Sequence, residues 1–498
     1  MGGGVLSRIV AVSNRVPLPK AMRTPLGGLE TALGAALQAS DVLWFGWSGK
    51  VTSSPVAEVE RVQDKGVEFA TLHLAKKDYL EYYQGYSNRV LWPLFHSRLE
   101  RMEYRRHYEE GYRRVNHLFA RKLAPLLRDG DRIWVHDYHC IPLAQELRQL
   151  GCRQTIGFFL HVPFPGHDVF RSLPGYRRIL LELGSYDLLG FQTDVDLRGF
   201  QNSLRYGLPQ CRISRGAVVI NGSSTRTGVF PISIDVNDVV KQAYKGRASV
   251  QGRRLVESLT GRRLILGVDR LDYTKGLQER FRAFERLLIE DPTTRGKFVF
   301  MQIAQPSRAD VPQYQLMRRT LDTIAGEING RFAEYDWVPI RYLNKSFGQT
   351  TIHGFLSICE VALVTPLRDG MNLVAKEFVA AQEPDDPGVL VLSELAGAAR
   401  ELTTAVIVNP YDVADVADGL ARAITMPREE RKERWEAMMK VLRKNDIERW
   451  KKRYLAALEQ SSVRGNEASQ QEQPGEEAAA REHHLKERVP GPFMPPGD

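Results

Sequence analysis

Short apolar runs alternate with helical patterns along most of the chain. IVAVSN from Ile9, RIWV from Arg132, TIGFFL from Thr155, YDLLGF from Tyr186, LILGV from Leu264 and FVFMQIA from Phe298 each predict a strand that runs into polar residues. CEVALVTP, from Cys359 to Pro366, is apolar, β-branched and closed by proline, so it predicts a buried parallel strand. Between the strands the spacing turns helical. Phe281, Phe284, Leu287 and Leu288 form one face of a helix that starts at Leu277. Tyr104, Tyr108, Tyr112, Val115 and Phe119 do the same on YRRHYEEGYRRVNHLFARKL, which predicts an amphipathic helix with a solvated basic face. Strands alternating with helices define an α/β fold.

At 498 residues the chain is too long for one ordinary core, and the pattern divides near residue 240. Residues 1–240 and 241–460 are expected to form two domains. From Ser461 the chain is polar and proline-rich, and 461–498 is expected to be disordered.

In open parallel sheets ligands collect beyond the carboxyl ends of strands, where Arg15, Asp137, His139 and His161 fall. Gly27 and Gly28 open GGLETALGAAL, a layout for binding phosphate, although a glycine pair also simply makes a turn. After LILGV, Arg270 and Lys275 suit a diphosphate, Arg as a fork and Lys as a mobile point charge; a pair of surface salt-bridge donors is the plainer alternative. RDGMNLVAKE places Asp369 at the mouth of a helix and Glu377 along it, about 12 Å further on at the helical rise. Gly370 would let the backbone turn tightly, and the amides at Asn372, Leu373 and Val374 would face an anion or sugar hydroxyls. Asp369 as a simple helix cap, with Glu377 solvating the surface, is the alternative.

A net charge of +9 raises the question of nucleic acid, but the basic residues are interleaved with acids and carry no RNA-binding or zinc-finger signature. A basic surface suits phosphorylated substrates instead. The four cysteines, Cys140, Cys152, Cys211 and Cys359, lack metal spacing and fit a reducing compartment. No apolar run approaches the roughly 20 residues of a membrane span, and MGGGVLS reads neither as a signal peptide nor, with Leu6, as a myristoylation site. A soluble, cytoplasmic protein is expected.

SNR with GG, YYQGYSNRVLWPLFH, WVHDYH, GFFLHVPFP, LLGFQT, DRLDYTKGL, QIAQPSR and LVTPLRDGMNLVAKE occur in this order. The set resembles the trehalose-6-phosphate synthases of glycosyltransferase family 20, from about Arg8 to about Leu458. The resemblance implies a retaining glycosyltransferase of GT-B architecture, two Rossmann-like domains facing each other across a cleft. Residues 1–240 would bind the acceptor and 241–460 the nucleotide sugar. It implies transfer of glucose from UDP-glucose to glucose 6-phosphate, giving α,α-trehalose 6-phosphate and UDP, with no cofactor and no catalytic metal.

Matched by motif, Arg15, Tyr83, Trp92, Asp137 and Arg308 would hold the acceptor. Gly27, Gly28, His161, Arg270, Lys275, Phe347, Asp369, Leu373, Val374 and Glu377 would hold the donor, with Phe347 beside the base and Glu377 on the ribose. His161 would lie near the 6-hydroxyl of the transferred glucose. Asp137, His161, Arg270, Lys275 and Asp369 would carry the catalysis. Gln84 stands where many relatives have Asn, and Glu30 adds a charge near the donor site. Arg198 in DVDLR argues against a fused phosphatase, so a separate trehalose-6-phosphate phosphatase would act downstream in osmoprotection. Relatives often assemble, which makes a homo-oligomer one expectation. A related enzyme with another acceptor, such as a glucosylglycerol-phosphate synthase, a non-catalytic relative, and GDP- or ADP-glucose as donor are the competing readings.

Overall fold

The computed structural model describes residues 8–16, 34, 41–54, 58–306 and 312–471. One sheet holds β1 (Ile9–Arg15), β2 (Val42–Thr52), β3 (Glu60–Asp64), β4 (Val67–Ala75), β5 (Arg132–His136), β6 (Thr155–Phe159), β7 (Leu188–Phe191), β8 (Arg212–Ser214), β9 (Ala217–Ile220) and β10 (Ser223–Val229). A second holds β11 (Arg263–Arg270), β12 (Phe298–Gln305), β13 (Ile340–Leu343), β14 (Val361–Val364), β15 (Val389–Ser393) and β16 (Val406–Val408).

The first sheet is ordered β3-β4-β2-β1-β5-β6-β7-β10-β9-β8, parallel from β4 to β10 with antiparallel margins. The second, β13-β12-β11-β14-β15-β16, is parallel throughout. Strand order reverses at β1, which lies between β2 and β5, and at β11, which lies between β12 and β14. Such switch points open a crevice beyond the strand ends.

Side-chain alternation explains how both faces of the first sheet are covered. Val10, Val12, Ile133 and Val135 enter one apolar core, while Ala11 and Trp134 between them enter another that is continuous with the core of the second sheet. The last helix, Ile447–Gln471, returns to this second face. Its Trp450 and Tyr454 rings lie 5.0 and 4.8 Å from Trp134, and Tyr454 meets Phe159 and Phe230 at 5.7 and 5.2 Å. Gly157 makes the close approach possible, since a Cβ there would lie 2.5 Å from the Tyr454 hydroxyl. This helix continues past Ser461 to Gln471, further than the sequence pattern predicts.

The Leu277–Glu290 helix buries Phe281, Phe284, Leu287 and Leu288 as the spacing predicts. The basic helix begins at Arg106, after Tyr104, and buries Tyr108, Tyr112, Val115 and Phe119. Two of its cations are paired, Arg113 with Glu109 and Glu182 and Arg114 with Asp78 and Glu81, while Arg106 and Arg121 are exposed. Tyr79–Leu91, for which the sequence offered no element, is a π-helix, a rare conformation that recurs at functional sites.

Tyr454 tests the packing of the last helix. Tyr454→Ala is expected to cost about 3–5 kcal/mol in denaturant unfolding, the range for emptying a buried aromatic site. Tyr454→Phe is expected to cost nothing measurable, because the buried hydroxyl has no hydrogen-bond partner among the described residues. Equal losses in the two variants would refute this account of the contact.

Candidate active site

β14 ends at Val364, and the loop that follows feeds the Leu373–Ala381 helix. Asn372, at φ 79°, caps that helix by accepting from the Ala375 amide at 3.2 Å. Asp369 is therefore released from the capping role that a lone Asp-Gly would imply. Its carboxylate accepts from Lys275 Nζ at 2.6 Å and from Asn372 Nδ2 at 3.1 Å. Burial opposes the charge on Asp369, but Lys275 outweighs it and holds the carboxyl below its usual range. Gly370 is needed for a different reason from the turn its sequence predicts: its φ is not left-handed, and a Cβ there would collide with the His161 carbonyl.

Lys275 is fixed from behind. Its carbonyl accepts from Arg280 Nη2 at 2.9 Å, and the fully buried Arg280 also reaches Asp269 at 2.6 Å, Gln302 at 3.0 Å and Thr365 at 3.1 Å. Arg270 lies over the Trp92 ring at 5.6 Å, so a residue of the second sheet meets one of the first across the crevice. Trp92 Nε1 donates to Asp272 at 3.4 Å, and Asp272 also accepts from Thr274 at 3.0 Å and from the Tyr314 hydroxyl at 3.1 Å. His96 packs 4.1 Å from Trp92, and burial pushes it down to about 4.

The first sheet supplies an aromatic wall and a carboxyl group. Tyr83 packs against Trp47 at 5.5 Å and His139 at 6.1 Å, and the row continues through Tyr138 to Trp92. Arg15 ends β1 beside Gly49, where a Cβ would lie 2.8 Å from the Arg15 Nε. Asp137 follows β5 with φ 74° and accepts from the His161 amide at 3.2 Å. Burial raises its carboxyl to about 7, against the pull of backbone donors and Arg270. His161 Nε2 lies 3.1 Å from His136 Nδ1, and burial pushes His161 down to about 3.

Contacts thus link Trp92, Asp137, His161, Arg270, Lys275 and Asp369 into one region. Leu373, Val374 and Glu377 lie on the helix that Asn372 caps, with Glu377 3.8 Å from His353 Nε2. Phe347 precedes the Gln349–Ile358 helix, packs on Phe355 at 5.7 Å and has Lys345 Nζ 5.3 Å from its ring. Gly27, Gly28, Glu30 and Arg308 lie outside the described residues. Asp272, His96, His136 and Tyr314 escaped the sequence reading. Asp272 left one usable signal, an Asp two residues before Thr274 in a turn; the others left none. An open groove of about 640 Å³ between Gln278, Arg282, Leu316 and Val413 includes none of these residues.

The arrangement favours an anion at Arg270, Lys275 and the helix start, and a hydroxylated ligand against the aromatic wall. Among the described residues no cluster of three or more His, Cys, Asp or Glu could hold a metal ion, and no helix is long and apolar enough to cross a membrane.

Two α/β sheets meeting at their strand ends, with cations on one wall and aromatic rings on the other, form the GT-B architecture of a glycosyltransferase. The chain belongs to glycosyltransferase family 20, whose sequence model matches residues 9–460. It is 47% identical over 462 residues to the trehalose-6-phosphate synthase of Sinorhizobium fredii, covering 92% of this chain and 100% of that protein. An α,α-trehalose-phosphate synthase (UDP-forming) from Burkholderia xenovorans, solved with glucose-6-phosphate, superposes with a TM-score of 0.89 at 46% identity, covering 91% of this chain and 100% of that one. An E. coli structure bound to UDP-2-fluoro glucose gives 0.86 at 45% identity, over 91% and 99% of the two chains.

Asp137 gives a pH test. Its titration, followed by carboxyl infrared difference spectra, is expected near pH 7, and Arg270→Ala is expected to move it upward by removing a cation that favours the charged form. Because the folded value lies above the ordinary 3.8, the stability this group contributes is present at low pH and lost as pH rises to about 7. Asp137→Asn should therefore gain in stability on the parent protein across that window. A constant difference between the two would refute the assignment.

Proposed function

We propose that the chain is a retaining glucosyltransferase that moves glucose from UDP-glucose to glucose 6-phosphate, giving α,α-trehalose 6-phosphate and UDP. The observation that carries this reading is the Lys275–Asp369 pair at 2.6 Å, with Arg270 above Trp92, at the crevice where the two sheets meet. A structural relative holds glucose-6-phosphate and another a UDP-glucose analogue, each at about 45% identity to this chain.

In this reading Arg270, Lys275 and the start of the Leu373–Ala381 helix receive the diphosphate and stabilise the charge that builds as UDP departs. Asp369, held charged and oriented by Lys275 and Asn372, grips the hydroxyls of the transferred glucose, and His161 lies beside its 6-hydroxyl. Leu373 and Val374 approach the phosphates, Glu377 takes the ribose hydroxyls, Phe347 lies beside the uracil, and Gly27 and Gly28 close on the donor. Arg15 and Arg308 bind the acceptor phosphate, while Tyr83, Trp92 and Asp137 orient the attacking hydroxyl. The departing phosphate takes up the proton of that hydroxyl on the face where the new bond forms.

Positive charge from side chains replaces a catalytic metal here. Residues 1–240 serve the acceptor and 241–460 the donor. In this reading the enzyme works in the cytoplasm, and a separate phosphatase releases trehalose for osmoprotection.

Nucleotide release from UDP-glucose in excess EDTA tests the reaction. Release is expected with glucose 6-phosphate and not with glycerol 3-phosphate or without acceptor; the opposite acceptor choice, or release only from GDP- or ADP-glucose, would overturn the assignment. Arg270→Ala is expected to lower kcat by about 100-fold or more, the scale for losing a preorganised charge stabiliser. Near-parental turnover in that variant would remove Arg270 from the mechanism.

A further inference from the structure

β5 places Trp134 and His136 on the same face of the first sheet, the face covered by the last helix. His136 is fully buried there, with its ring 4.6 Å from Trp134 and 5.4 Å from His161. Its Nδ1 lies 3.1 Å from His161 Nε2, while its Nε2 is buried with no hydrogen-bond partner among the described residues. Burial holds both rings neutral, with His136 well below the ordinary histidine range.

Two neutral imidazoles in this contact share one proton between the facing nitrogens, and only two arrangements exist. If His161 Nε2–H donated, His136 would carry its own proton on Nε2 and bury an N–H with no acceptor. If His136 Nδ1–H donates, its Nε2 keeps only a lone pair. Unsatisfied buried N–H groups are the rarer defect. The neighbourhood sharpens the choice, because Trp134 Nε1, which can only donate, is itself buried with no hydrogen-bond partner among the described residues. A second orphaned N–H would add another unmet donor to the same buried pocket, whereas a lone pair would not.

We propose that His136 is a positioning residue: its Nδ1–H donates to His161 Nε2, which forces the proton of His161 onto Nδ1 and makes His161 a hydrogen-bond donor to the 6-hydroxyl oxygen of the transferred glucose. His161 is half-buried, and with Nε2 facing His136 its Nδ1 is the ring nitrogen left for a ligand. The inference rests on the reading of His161 as the neighbour of that hydroxyl.

The test compares kcat/KM for UDP-glucose and UDP-6-deoxyglucose in the full-length parent enzyme, His136→Phe and His136→Asn. The parent is expected to prefer UDP-glucose by about tenfold, the scale of one hydrogen bond. In His136→Phe the donor is gone and the ring face can weakly accept an N–H, so His161 is freed to carry its proton on Nε2 and the ratio should fall toward one by slowing UDP-glucose alone; His136→Asn, whose amide N–H replaces Nδ1–H, should restore it. An unchanged ratio in His136→Phe, or an equal loss on both donors, overturns the proposal. Nitrogen-15 NMR of the histidine-labelled parent tests the same point without any variant: a proton on His161 Nδ1 supports it, and one on Nε2 overturns it. A parent enzyme that transfers nothing from UDP-glucose would sink the proposed reaction instead, and the NMR result would still decide the tautomer.

Discussion

Positive charge held almost dry at the end of β11 is the constraint on which the rest of the site depends. Arg280 is fully buried, and a buried guanidinium is tolerable only when its donors are met. Asp269, Gln302, Thr365 and the Lys275 carbonyl meet them, so one side chain ties β11, β12 and the residue after β14 to the turn that carries Lys275. Gly267 records the crowding, because a Cβ there would lie 2.8 Å from Arg280 Nη1. The position of Lys275 against Asp369 is thus set from inside the second sheet, before any ligand arrives.

The crevice has a second set of constraints, those that hold the two sheets together. Lys376, on the helix that carries Glu377, is fully buried and donates to the Ile232 carbonyl at 2.7 Å and to Glu401 at 2.6 Å. Ile232 belongs to the segment that leaves the first sheet, and Trp450 Nε1 donates to Phe230 O in the same segment at 3.1 Å. The two passages of chain between the sheets therefore run side by side, and the first of them is bonded to the helix proposed to receive the donor.

What could be read from the sequence follows from which forces act locally. Strand ends were legible because apolar runs stop where the backbone leaves the sheet, and that put Arg15, Asp137 and His161 at strand ends in the first half of the chain and Arg270 and Asp369 at strand ends in the second; joining the two sets took the resemblance. Side-chain pairs between distant segments were not legible. Trp92 and Asp272 are 180 residues apart, and no periodicity connects them. His136 looked like one more polar residue at a strand end, although it is the next residue on the buried face after Trp134. The same limit explains Gly370, where the sequence shows a turn residue and the structure shows an obstacle, the His161 carbonyl, that comes from another sheet.

Asp137 combines these constraints in one residue. Its φ of 74° with ψ of 165° lies in a region that glycine occupies easily and other residues occupy at a cost of about 1–3 kcal/mol. The backbone is held there by three bonds: its amide donates to Phe159 O at 2.8 Å, its carbonyl accepts from Cys140 at 3.1 Å, and its carboxyl accepts from His161 at 3.2 Å. Glycine would relieve the strain and keep the first two. Only a side-chain acceptor keeps the third, which joins the end of β5 to the loop after β6. A strained backbone, a carboxyl raised by burial and a cation opposite are therefore parts of one arrangement, in which the local cost is accepted for the position of a single oxygen.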